Sequence, residues 1–259
     1  MDLGIAGKVA MVAAASKGIG LAIAKELAAE GCHVSICARN EEVLEAAAAQ
    51  VGEETRSYVV DVTQADDLAW WVEQTRSDLG PIDILVTNTG GPPAGPVFSM
   101  TDEQWTSGVE STLLNVTRLV GLVKDDMTSA GWGRIVHITS LVARRPSRML
   151  PISSTLRAGL MALTRLQALE LAQYGITVNG VLPGHTLTDR QRHLASIRAE
   201  REGISAEEAL VKQGAEVPVG RLATPDEIAA ATVFLCSQRA AYITGTDLLV
   251  DGGLVQGLG

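Results

Sequence analysis

Residues 8–14 (KVAMVAA) are apolar almost without interruption, as expected of a strand covered on both faces. From 21 to 30 the apolar residues recur at helical spacing instead, and Gly31 follows as a stop signal. This alternation repeats along the chain. Strands are predicted at 33–37, 56–60 and 82–86, separated by helices over 41–50 and 64–79. A strand at 135–138 ends in Thr139 and Ser140, a long helix is predicted over 152–173, and a strand at 176–181 ends in Pro183 and Gly184. Strands and helices in strict alternation imply βαβ units with right-handed crossovers. The fold class is therefore α/β: a doubly wound parallel sheet with helices on both faces.

Composition keeps that picture and removes several others. A chain of 259 residues suits one such domain over 1–259, and 46% hydrophobic residues suffice for its core. Thirty acidic against 21 basic residues give a net charge of −9, which argues against a nucleic-acid partner. The apolar runs fall short of the roughly 20 residues that span a bilayer, and the stretch after Met1 lacks the apolar core of a secretory leader. No membrane partner and a cytoplasmic location are expected. Cys32, Cys37 and Cys236 have no CxxC spacing and read as buried, reduced thiols rather than metal ligands.

The first strand-to-helix turn contains Ser16, Lys17, Gly18, Ile19 and Gly20. Glycines there let backbone N–H groups and a helix N-terminus approach a pyrophosphate; the plainer alternative is an ordinary tight turn. Ala14 stands at the tightest point, and its methyl fits if its φ stays negative. NAD binders of this architecture carry a carboxylate at the end of the second strand. Here Ala38 and Arg39 occupy that place. Arg39 and Lys17 suit a 2′-phosphate, so NADP(H) is expected over NAD(H), the alternative being two solvated surface charges.

Ser140, at a strand's carboxyl end, and Gly184 mark a binding mouth. Ser153 and Arg157, four apart, share one face of the long helix between them. Ser140 precedes Ser153 by thirteen residues. These positions resemble the active site of the short-chain dehydrogenase/reductase family, a Rossmann-type fold, and the chain looks most like its 3-oxoacyl-carrier-protein reductases. In that family a Ser is followed thirteen residues later by Tyr and then, four on, by Lys; Ser153 and Arg157 stand in their places. The glycine turn resembles T-G-x-x-x-G-x-G with Ala13 and Ala14 for T-G, and Asn88 and Gly90 match N-N-A-G. The resemblance implies that Ser140 orients the carbonyl and that Arg157 also meets the cofactor ribose. It further implies that Asp61 and Val62 line the adenine, and that Pro183, Gly184 and Thr188 lie by the nicotinamide. Counting from Trp105 and Met127 puts Thr112 where the family has its active-site Asn; Asn115 faces elsewhere unless the helix is irregular. Residues 186–215 correspond to the family's substrate lid, and the segment from 218 onward to its subunit contacts in a homotetramer.

The substitutions change the chemistry. An aliphatic serine hydroxyl is a far weaker acid than a tyrosine, and Arg157 cannot shuttle protons. The set is better at polarising an oxyanion than at transferring a proton. His185 and ordered water are the candidate proton sources; Tyr58, Tyr174 and Tyr242 are expected outside the mouth, and His137 is expected to pack. Arg190 and Arg192 are candidates for a substrate carboxylate or phosphate. Three readings remain: an NADP(H)-dependent oxidoreductase acting on a small carbonyl or alcohol, a nucleotide-binding protein without turnover, and a non-redox enzyme. The halohydrin dehalogenases, relatives of the third kind, keep the Tyr and lose the glycine turn, the reverse of this chain.

Overall fold

The computed structural model describes residues 1–257. Seven strands, β1 (Val9–Val12), β2 (His33–Ala38), β3 (Arg56–Val59), β4 (Ile84–Thr87), β5 (Gly133–Ile138), β6 (Ile176–Pro183) and β7 (Asp247–Val250), form one parallel sheet in the order β3-β2-β1-β4-β5-β6-β7. The order reverses between β1 and β4, and a crevice at such a point, outside the strands' carboxyl ends, is where doubly wound sheets bind ligands. Nine α-helices flank the sheet among the described residues: α1 (Gly18–Ala29), α2 (Glu41–Val51), α3 (Ala65–Leu79), α4 (Asp102–Val109), α5 (Asn115–Ala130), α6 (Pro151–Leu171), α7 (Asp189–Glu202), α8 (Ala206–Glu216) and α9 (Pro225–Cys236).

Strand periodicity divides the core into two layers. Ala10 and Val12 of β1 pack with Ile23, Leu27, Ile228 and Val233 on the α1 and α9 side. Met11 faces the other way, towards Trp71, Leu119, Val123 and Leu160 of α3, α5 and α6. Cys32, Cys37 and Cys236 are buried and free, and burial pushes the thiols of Cys32 and Cys37 up to about 12, so they are inert packing groups. No described helix is long and apolar enough to cross a membrane.

Several boundaries differ from the sequence expectation for local reasons. β1 ends at Val12 rather than 14 because the backbone turns at Ala14. β4 begins at Ile84 rather than 82, since the Ile82 N–H is taken by Asp126 Oδ2 at 3.1 Å instead of a neighbouring strand. The glycine turn is itself helical from Gly18, three residues earlier than expected. The helix expected over 152–173 is α6, which ends at Leu171 in a 3₁₀ turn (Ala172–Tyr174).

Candidate active site

The crevice is a cleft of about 1600 Å³ lined from both halves of the sheet. On one side lies the β1–α1 turn. Lys17 gives no side-chain cap to α1, and the first turn holds no acid, so the positive end of that helix faces the cleft unneutralised. Gly20 cannot carry a side chain: an added Cβ would stand 2.7 Å from the Ala14 carbonyl oxygen and 2.8 Å from Asn88 Nδ2. Ser16, Lys17, Gly18, Ile19, Arg39, Asp61, Val62, Asn88, Gly90, Pro183, Gly184 and Thr188 all line the cleft, while Gly20 shapes the turn from behind. This is a cradle into which an elongated nicotinamide dinucleotide fits.

Ala14 departs from expectation. Its φ is +48°, the one positive value among the described non-glycine residues. The left-handed conformation costs a residue with a Cβ about 1–2 kcal/mol, and here Asn88 Nδ2 holds the turn by donating to the Ala13 and Ala14 carbonyls at 3.3 and 3.2 Å. Asn88 is thus a brace as well as a cleft wall. Ala14→Gly is expected to raise stability by about 0.5–1 kcal/mol, the relief of strain less the added unfolded-state entropy. An unchanged or lower urea midpoint would show that the methyl is needed.

At the far end, β5 and α6 bring Ser140, Ser153 and Arg157 to the same cleft. Arg157 is only 6% exposed. Its Nη1 donates to the carbonyls of Ile138 (2.9 Å) and Thr139 (2.8 Å), capping the end of β5, and its Nε donates to Ser153 Oγ at 3.2 Å. Burial, and next the charge of Arg190, lowers its pKa to about 10, so it stays charged at neutral pH. Ser153 Oγ must accept from the guanidinium, which leaves its own proton for the cleft. Ser140 Oγ likewise accepts from the Val142 N–H at 3.3 Å. The cluster presents hydrogen-bond donors and no base.

Thr112 is not part of that wall. Residues Glu110–Leu114 form one π-helical stretch, and Thr112 within it is 1% exposed, with a hydroxyl that has no partner. The wider turn shifts the helical phase: Ser107, Gly108 and Ser111 line the cleft instead. Asn115 is equally buried, and its Oδ1 accepts from the Val116 N–H. The irregular helix that would have freed Asn115 exists, yet neither side chain reaches the cleft.

Other residues fall as follows. His137 is sealed between Thr87 and Gln167, each at 2.8 Å, with burial lowering its pKa to about 4. His185 does line the cleft, but burial lowers its pKa, so at neutral pH it lacks the proton a general acid would give. Tyr58 bonds Asp78 at 2.7 Å, Tyr174 and Tyr242 are exposed, and no tyrosine lines the cleft. Lys17 reaches across the cleft to Asp189 (3.0 Å) rather than standing free, although an exposed pair of this kind is worth only about 0–1 kcal/mol. Arg148 lines the mouth and was missed by the sequence reading; the basic run from Arg144 to Arg148 just before α6 was the available signal.

Residues 186–215 fold as the α7–α8 hairpin, tied by Gln191 to Gln213 (2.7 Å) and by Arg198 to Glu216 (2.8 Å). Arg190 reaches from α7 to the loop after β4, donating to the Pro92 carbonyl at 2.6 Å.

A family model described as enoyl-(acyl carrier protein) reductase matches residues 13–255. The chain is 38% identical over 248 residues to the 3-oxoacyl-acyl-carrier-protein reductase FabG of Escherichia coli (strain K12), covering 96% of this chain and 97% of the other. The structure of L-sorbose reductase from Gluconobacter frateurii, complexed with NADPH and L-sorbose, superposes with a TM-score of 0.94 at 35% identity over the whole of both chains. An NAD⁺-bound xylitol dehydrogenase superposes with a TM-score of 0.90 at 28% identity, covering 96% of this chain and 99% of the other. With its parallel sheet, glycine turn and full-length match to these reductases, this chain belongs to the short-chain dehydrogenase/reductase family of oxidoreductases.

Proposed function

We propose that the chain is an NADP(H)-dependent reductase of small carbonyl compounds whose active site works by oxyanion stabilisation without a tyrosine acid. The observation that carries this reading is the donor-only cluster of Ser140, Ser153 and Arg157 at the end of the dinucleotide cradle. The nicotinamide, when bound, supplies the hydride. Ser140 and Ser153 offer their free hydroxyl protons to the substrate oxygen. Arg157, anchored through Nη1 and Nε, leaves its Nη2 without a protein partner and holds a full charge beside the negative charge that develops. Water provides the proton that completes the alcohol, since the acid-range group in the wall, His185, is held neutral. Thr112 is left with a structural role in the π segment.

NADP(H) is preferred over NAD(H) because Arg39 lines the cleft just past the end of β2, where the wall offers no carboxylate to a ribose 2′-hydroxyl. Lys17 adds a second cation once its exposed pair with Asp189 opens. The α7–α8 hairpin acts as the substrate lid. A homotetramer is the proposed assembly, supported by apolar side chains left exposed: Leu166 and Leu169 of α6, Tyr242, and Leu248 of the edge strand β7. A cytoplasmic setting suits its three reduced thiols.

Titration with NADPH and NADH followed by a panel of carbonyls and alcohols tests this function. Tighter binding of NADPH and carbonyl-dependent NADPH oxidation are expected. Tight binding with no turnover on any carbonyl would favour the second reading, a nucleotide-binding protein without redox activity, for which the missing tyrosine is the supporting observation.

A further inference from the structure

The chain carries a net charge of −9, yet cationic side chains outnumber carboxylates along its cleft. The carboxylates present are already engaged. Asp61 Oδ1 accepts from the N–H and hydroxyl of Thr63, Asp189 pairs with Lys17, and Glu216 pairs with Arg198. None reaches Arg157 or Arg190.

Those two arginines form an unusual pair. Arg157 is more than nine-tenths buried, and its polar partners are a serine and two carbonyls, with no acid to balance the charge. Its Nη2 makes no protein hydrogen bond and is not among the sealed, unpartnered atoms, so it opens to the cleft. Arg190 comes from the opposite wall. Its guanidinium lies over Gly91, where an added Cβ would stand 3.0 Å from Nε, and Nη2 is fixed by the Pro92 carbonyl. β4 and β5 are neighbours in the sheet, with Thr87 beside His137, so the loop holding Arg190 and the strand end holding Arg157 are adjacent. The charge of Arg190 also depresses the pKa of Arg157, which places the two within electrostatic reach.

Two like charges that line one partly desolvated cleft repel, and an anion between them relieves the cost. Guanidinium groups arriving from two walls suit a planar carboxylate, one oxygen accepting from Arg157 Nη2 and the other from the N–H groups that Arg190 keeps free of Pro92. We propose that Arg157 and Arg190 together form a carboxylate subsite, so that the substrate is a small oxo acid with its carboxylate one or two bonds from the reacting carbonyl. The proximity lets one guanidinium, Arg157, serve the carboxylate and the carbonyl oxygen together. Arg190 sits on the α7–α8 hairpin and already donates to the loop after β4, so a bound acid would tie that segment to Arg157 of α6 as well. This substrate class rests on the reductase reading above, whereas the anion subsite does not depend on it.

The test uses oxalate, a planar mimic of a 2-oxo acid, titrated calorimetrically into the full chain with and without NADP⁺, alongside its neutral analogue oxamide. Saturable oxalate binding is expected in both conditions, with oxamide at least tenfold weaker. Arg190→Gln should weaken oxalate at least tenfold while NADPH binding is retained, which also reports that the variant is folded. In turnover, 2-oxobutyrate should exceed butan-2-one at least tenfold in kcat/KM. Oxalate that does not saturate, or binds Arg190→Gln as well as it binds the unmodified chain, overturns the subsite. One-for-one competition between oxalate and NADP⁺ also overturns it, because the cations would then serve the cofactor's phosphates. Oxalate binding in a chain that takes up no NADPH would leave the subsite standing and remove the reductase reading.

Discussion

Arg157→Ala is expected to lower kcat/KM for NADPH-driven carbonyl reduction by about 10²–10³-fold, the usual effect of removing one oxyanion-stabilising donor. The loss should appear in kcat as well as KM, because the charge acts on the oxygen as it becomes negative. A structural effect accompanies it. The carbonyls of Ile138 and Thr139 lose their partner, and each buried carbonyl left unpaired costs about 1–3 kcal/mol. Arg157→Lys separates the two effects: an ammonium keeps the charge and can meet a β5 carbonyl, but lacks the fork that joins those carbonyls, Ser153 and the cleft. Stability should largely return in Arg157→Lys while activity returns only in part. Equal activity in Arg157→Ala and the unmodified chain would remove the guanidinium from the mechanism.

The second large effect concerns coenzyme choice. Arg39→Ser is expected to weaken NADPH by about 10–100-fold and to leave NADH nearly unchanged, since a hydrogen-bonded ion contact is worth about 1.5–3 kcal/mol. The comparison of the two coenzymes cancels any general damage to the cradle. Equal losses for both would mean that Arg39 supports the fold of the loop after β2 rather than recognising a phosphate. Retention of NADPH affinity would shift the recognition to Lys17, whose pair with Asp189 is exposed and easily broken.

Much of the framework was legible because it is written in short-range pattern. Continuous apolar runs such as 8–14 gave the buried strands, and helical periodicity closed by Gly31 gave α1. The thirteen- and four-residue spacings placed Ser140, Ser153 and Arg157, and the structure brings all three to one cleft. What could not be read were effects that depend on tertiary contact. The left-handed turn at Ala14 is held by Asn88, which comes from a different strand end. The π stretch at Glu110–Leu114 carries no glycine or proline to announce it, and it removes Thr112 from the wall that counting assigned it. Lys17 looked free in sequence because Asp189 lies far along the chain, and Arg190 could be matched to Pro92 only once α7 was placed.

Carbonyl-dependent oxidation of NADPH by the unmodified chain, followed as a function of pH, tests most directly whether a donor-only site can carry the reaction. Arg157 keeps its proton until the pH rises towards about 10, and the lowered pKa of His185 puts its titration below neutrality. Steady turnover is expected, with kcat/KM flat between about pH 7 and 9 and falling only as Arg157 is discharged. A tenfold change per pH unit within that window, or bound NADPH that no carbonyl oxidises, would contradict it.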